Sequence, residues 1–188
     1  MAKQFSRIGA AHHEFILRQK VFFTGSATAG SRVNISPKGL DALRILDDLT
    51  VAYLDQTGSG SETAAHLRAD GRLTIMFCAF EGPPLILRLY GRGRSLPRGT
   101  PAYDALLEKT FGGEEPLGSR QIIVLDIDLV QTSCGFGVPL FDYKAERPTL
   151  ARWAEAKGEQ GLIDYRREKN ARSMDELPTG LVPDEIDA

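Results

Sequence analysis

Short apolar segments with two-residue alternation recur along this chain, and clusters of Gly, Pro and Ser separate them. "KVFFTGSA" (20–27) is aromatic and β-branched and stops at a Gly/Ser turn. In "SRVNIS" (31–36), Val33 and Ile35 point one way while Arg32, Asn34 and Ser36 point the other, as in a half-buried strand. The two segments flank "TAG" and read as a hairpin. "LTVAYLD" (49–55), "GRLTIMFCAF" (71–80), "PLILRLYGRGR" (84–94) and "RQIIVLDIDLVQTSCGF" (120–136) supply four more strands. Consecutive strands joined by short turns pair antiparallel. Six of them avoid exposed edges by curling toward a barrel. The class expected is mainly β with short helices.

The helices fall between the strands. Residues 11–20 and 62–68 have partial helical spacing, and "PAYDALLEKTF" (101–111) begins with a proline suited to a first turn. "LDALRILDDL" (40–49) reads as a short helical turn. The charged stretch 149–173 reads as a C-terminal helix with weak points at Gly158 and Gly161. Residues 1–178 are expected to form one domain, and the Gly/Pro-rich acidic end, 179–188, a flexible tail.

Composition narrows the function by exclusion. A chain of 188 residues suits one domain with its own core. A formal net charge of -2, without a basic stripe, argues against nucleic acid and membrane partners. No run approaches the roughly 18 apolar residues of a spanning helix. The two cysteines, Cys78 and Cys134, stand in apolar segments and form no CxxC pair. They read as buried thiols of a reduced, cytoplasmic protein with no metal site.

The segment "TGSGSETAAHL" (57–67) carries the functional question. It lacks the lysine of a Walker loop and the third glycine of a dinucleotide fingerprint. Ser59-x-x-Glu62 has capping-box spacing. A helix N-terminus behind flexible glycines also suits a phosphate, with Ser59, Ser61 and Thr63 as hydroxyl donors. Both readings use the same geometry. Arg32, Asn34 and Ser36 share one strand face, with Lys38 beyond, and Arg88, Arg92 and Arg94 lie on another strand where they need anionic partners.

Taken together, "FFTGSATAGSRVNISPKG", "VAYLDQTGSGSETAAHL", "RLTIMFCAFEGPPLILRLYGRGR" and "QTSCGFGVPLF" resemble the pyridoxamine 5'-phosphate oxidase-like family of FMN-binding split β-barrels, over about residues 12–140. The resemblance implies a six-stranded antiparallel split β-barrel and a homodimer with FMN in a groove at its interface. It implies that Arg32, Val33, Asn34, Ile35, Ser36 and Lys38 lie along the flavin. It places Tyr53, Leu54 and Asp55, then Ser59, Ser61, Glu62 and Thr63, at the ribityl chain and phosphate, and Arg88 at the pyrimidine edge of the ring. Two departures stand out. Ser61, Glu62 and Thr63 occupy the place of a Ser-Arg-Lys cluster, and no histidine follows His66, so oxidation of pyridoxamine phosphate itself is not expected.

No Ser/His/Asp order or carboxylate pair suggests hydrolysis, and His12, His13 and His66 read as surface or packing residues. Flavin chemistry asks the protein mainly to bind, orient and tune the ring. The readings are an FMN-dependent oxidoreductase acting on an unknown small molecule, a flavin carrier without turnover, or a barrel holding deazaflavin or haem.

Overall fold

A computed structural model describes residues 2–182. Among them are eight strands: β1 (Lys3–Phe5), β2 (Phe22–Ser26), β3 (Asn34–Lys38), β4 (Leu43–Asp47), β5 (Thr50–Gln56), β6 (Arg72–Cys78), β7 (Ile86–Pro97) and β8 (Ser119–Ser133). Four helices accompany them: α1 (Ala10–Arg18), α2 (Glu62–Ala69), α3 (Pro101–Phe111) and α4 (Thr149–Lys169). The strands form one antiparallel sheet in the order β3-β2-β6-β7-β8-β5-β4, with β1 paired to the far end of β8. The sheet curls but does not close. Its two edges, β3 and β4, follow one another in the chain and leave a seam between them.

Alternation decides which face each side chain takes. Val51 and Tyr53 of β5, with Ile123 and Leu125 of β8, enter a core shared with Phe22, Ile75, Phe77, Leu87 and Leu89. The intervening Ala52, Leu54, Ile122 and Val124 pack on the opposite face beneath Tyr103, Leu106, Leu107 and Phe111 of α3. The middle of the sheet is therefore buried on both sides. Thr100 caps α3 by accepting from the Tyr103 amide, and Pro101 occupies the first turn.

Several expectations change. Residues 43–47 are a strand, not a helical turn: Leu43 and Ile45 pack on the main core and Leu46 on the second. Apolar residues on both faces of a strand imitate helical spacing. The short β1, wholly exposed, has no apolar pattern to announce it and is held by pairing with Val130–Thr132. The tail does not begin at 179, because Thr179, Leu181 and Val182 are buried; residues 183–188 lie outside the described residues. Gly158 does interrupt α4, with φ 66° and ψ 171°, whereas helix continues through Gly161. Cys78 is buried as expected, but Cys134 is exposed.

Two glycines of β7 set how closely neighbours approach. At the bulge after Tyr90, a Cβ on Gly91 would lie 1.9 Å from the Asp126 carbonyl oxygen. A Cβ on Gly93 would lie 2.7 Å from Leu67 and 2.8 Å from Leu73. Gly93 thus lets α2 sit directly on the sheet. Replacing Gly91 by Ala is expected to cost about 3 kcal/mol by overpacking. Gly137→Ala, where nothing lies within 4 Å, serves as the control. Denaturant midpoints that shift equally for both would remove the close approach as the cause.

Candidate functional site

The seam between the sheet edges is a groove. A cavity of about 460 Å³ runs along it, lined by β3, the turn after β3, the end of β5, the 57–61 loop, the start of α2, and Arg120 and Gln121 of β8. Strand alternation turns Asn34, Ser36 and Lys38 into the groove and leaves Ile35 outside, with Pro37 at its rim. Pro37 is tolerated here because β3 is an edge strand.

Side chains bridge the seam where backbone pairing fails. Lys38 Nζ donates to Asp55 Oδ1 at 2.6 Å, linking β3 to β5. The other Asp55 oxygen accepts from Arg120 Nε and Gln121 Nε2, each at 2.8 Å. Burial pushes the Asp55 carboxyl up, but the charges of Arg120 and Lys38 outweigh it and hold the group well below the usual carboxylate range. The Lys38 ammonium also lies 5.8 Å from the centre of the Tyr53 ring beneath it.

The same arginine shapes the loop. Arg120 donates through Nη2 to the Gly60 carbonyl at 2.6 Å and through Nη1 to Asn170 Oδ1 at 3.0 Å. Asn170 Nδ2 donates to the Gly58 carbonyl at 3.0 Å. Arg166 of α4 donates to the Thr57 hydroxyl, which in turn donates to the Gly118 carbonyl. The loop carbonyls are drawn inward. The capping box on Ser59 does not form: α2 begins after Ser61, and Glu62 Oε2 accepts from the adjacent Ser61 amide at 3.0 Å. The first intrahelical bond comes from the Ala65 amide to the Ser61 oxygen, so the helix opens on amides without an intrahelical acceptor.

A polar relay lines the β3 wall. Asn34 Nδ2 donates to Thr63 Oγ1 at 3.0 Å, and Ser36 Oγ donates to Asn34 Oδ1 at 3.2 Å. Behind them, buried His66 pairs its Nδ1 with Ser26 Oγ at 3.0 Å.

Of the residues singled out in sequence, Asn34, Ser36, Lys38, Leu54, Asp55, Ser59, Ser61, Glu62 and Thr63 line this cavity. Tyr53 lies in the core just beneath it. Val33 and Ile35 point outward and are 71% and 68% exposed. Arg32 stands at the approach to β3 and pairs with Asp175. Arg88 is on β7, away from the cavity, and donates to Ser133 Oγ at 3.0 Å. Arg92 reaches the Asp70 carbonyl and Arg94 the Asp126 carboxylate, so the three arginines do not share an anion. Sequence reasoning passed over Thr57, Arg120, Gln121, Arg166 and Asn170. The available signal was an Arg-Gln pair heading a strand apolar on both faces. A second cavity, about 1180 Å³, opens at the other end among Phe15, Phe80, Pro83, Pro84, Phe141 and Tyr143 and contains none of these groups.

The fold and groove define an open, split β-barrel with a polar cleft along its seam. A family model described as pyridoxamine 5'-phosphate oxidase matches residues 8–134, and the chain belongs to that family. It is 41% identical over 181 residues to the pyridoxamine 5'-phosphate oxidase family protein ustO of Aspergillus flavus, covering 88% of this chain and 72% of that one. Among solved structures, HupZ of Group A Streptococcus superposes with a TM-score of 0.54 at 20% identity, over 67% of this chain and 99% of that one. A pyridoxamine 5'-phosphate oxidase homologue of Lactobacillus delbrueckii gives 0.52 at 11% identity, over 67% and 94%. At such identities the likeness is one of fold.

Asp55→Asn leaves Arg120 buried without its counterion and is expected to destabilise the protein by about 3–5 kcal/mol. The folded-state value of Asp55 lies below its unfolded one, near 3.9. Its contribution is therefore complete above about pH 4 and is lost as pH falls toward the folded value. Unfolding curves from neutral to acid pH check both statements. Equal stability of Asp55→Asn and the parent at pH 7 would contradict them.

Proposed function

We propose that this protein is an FMN-binding flavoprotein whose seam groove holds the cofactor, and that it acts as an oxidoreductase on a small molecule. The observation that carries this reading is the polar wall of β3, with Asn34, Ser36 and Lys38 facing the 57–63 segment across the cavity. Membership of the pyridoxamine 5'-phosphate oxidase family supports it. The donor set suits a phosphorylated polyol: hydroxyls of Ser36, Ser59 and Thr63, the Asn34 amide, the opening amides of α2, and one partly exposed cation, Lys38.

In this reading Lys38 and the α2 amides hold the phosphate end, and Asn34 and Ser36 orient the polyol chain. Bound FMN supplies a ring that accepts and returns electrons. The chain's own residues bind and orient; Asp55 and Arg120 keep the loop carbonyls turned away from the ligand. Lys38 is fixed in place by Asp55.

The reading extends to a cytoplasmic homodimer. Val33, Ile35, Phe136, Leu140 and Phe141 are each more than half exposed, an apolar surface beside the groove and on the 134–148 arm that suits a second copy. In that arrangement Arg88 is available to a flavin ring held by the other subunit.

Purified protein should carry flavin absorbance or take up FMN in titration. Lys38→Ala is expected to weaken FMN by about 2 kcal/mol, the scale of a hydrogen bond to a charged group. Bleaching by NAD(P)H would distinguish turnover from carriage. A colourless protein that refuses FMN would overturn the proposal.

A further inference from the structure

The loop end of the groove is already furnished with carboxylates of the chain itself. Glu62 Oε2 takes the Ser61 amide, and its Oε1 accepts from the Met174 amide at 3.4 Å. Asp175 takes both the backbone amide and the guanidinium of Arg32. These contacts belong to one strap: Ser61 Oγ donates to the Arg172 carbonyl at 3.2 Å, so the segment after α4 lies against the loop. Two donors suited to a ligand phosphate, the Ser61 amide and Arg32, are thus engaged by internal anions.

The charges lining the cavity balance as Lys38 and Arg120 against Asp55 and Glu62. Asp55 takes both cations. Among the described residues, Glu62 has no ion pair, although it lies on the cavity wall. An unpaired carboxylate beside the opening amides repels a phosphate there. It accepts readily from a neutral hydroxyl, because an ionised carboxylate is an acceptor only.

We propose that Glu62 sets the charge selectivity of the groove: it opposes the ligand's phosphate, so that an unphosphorylated flavin bearing a neutral polyol chain is held nearly as well as FMN. This rests on the flavin reading above. Glu62 is then a specificity residue and not a relic of a helix cap.

The test is parallel titration of riboflavin and FMN into the full chain and into Glu62→Gln, read by quenching of flavin fluorescence. The parent is expected to bind the two within about threefold. Glu62→Gln should tighten FMN about tenfold, roughly 1.4 kcal/mol, and leave riboflavin within about twofold. Should the variant fail to fold, salt carries the test: with Glu62 offsetting Lys38, the parent's FMN-to-riboflavin ratio stays flat as salt rises. A parent that prefers FMN a hundredfold, or a ratio that falls steeply with salt, overturns the proposal. Both flavins binding with a ratio unchanged by Glu62→Gln overturns the role of Glu62 alone. Neither flavin binding overturns the flavin reading and this inference with it.

Discussion

Asp55 stands where the sheet fails to close, and the site is built outward from its two oxygens. One oxygen takes Lys38 from the edge strand β3; the other takes Arg120 and Gln121 from the central strand β8. A barrel closed by backbone pairing would have no groove. A seam left without a bridge would part. The ion pairs hold the edges at the spacing of side chains rather than of a ladder, and the cavity is the space between. Desolvating Asp55 and Arg120 is costly, and it is offset here by their mutual charge, by Lys38 and Gln121 on the carboxylate, and by Asn170 and the Gly60 carbonyl on the guanidinium.

Arg120 extends that arrangement to the loop. A guanidinium offers five donors and no acceptor. With water excluded, its protons go to Asp55, to the Gly58 and Gly60 carbonyls and to Asn170. Carbonyls that point at Arg120 cannot point into the cavity. A loop of Gly and Ser, flexible on its own, is thereby given one conformation from below. The lateral position of α2 comes from a different source, the missing side chain at Gly93 that admits Leu67 against β7. Electrostatics orients the loop, and packing places the helix that follows it.

Sequence pattern revealed the parts of this design that obey a single period. The alternation in 31–36 identified the wall residues Asn34 and Ser36, and the opening proline located the start of α3. It failed where two faces are buried at once. In β4, Leu43 and Ile45 serve one core and Leu46 the other, so the segment has no polar face and imitates a helix. It failed also where function rests on contacts distant in sequence. Arg120 and Asn170 bond to Gly58, which lies 62 and 112 residues away. Nothing local distinguishes a buried arginine from a solvated one.

The segment "TGSGSETAAHL" combines both kinds of information. Its glycines and serines correctly indicated a loop that opens a helix, yet the specific pairing read into Ser59 and Glu62 was displaced by tertiary partners. Ser61 uses its hydroxyl on Arg172, and Glu62 reaches Met174, because the chain after α4 returns to lie on the loop. A capping box needs both side chains to remain local. Once the strap supplies other donors and acceptors, the helix begins two residues later than the spacing implies, with Ser61 as its cap. The carboxylate that would have closed a local ring instead ties the groove to the C-terminal strap, and this is what places a negative charge on the wall of the cavity.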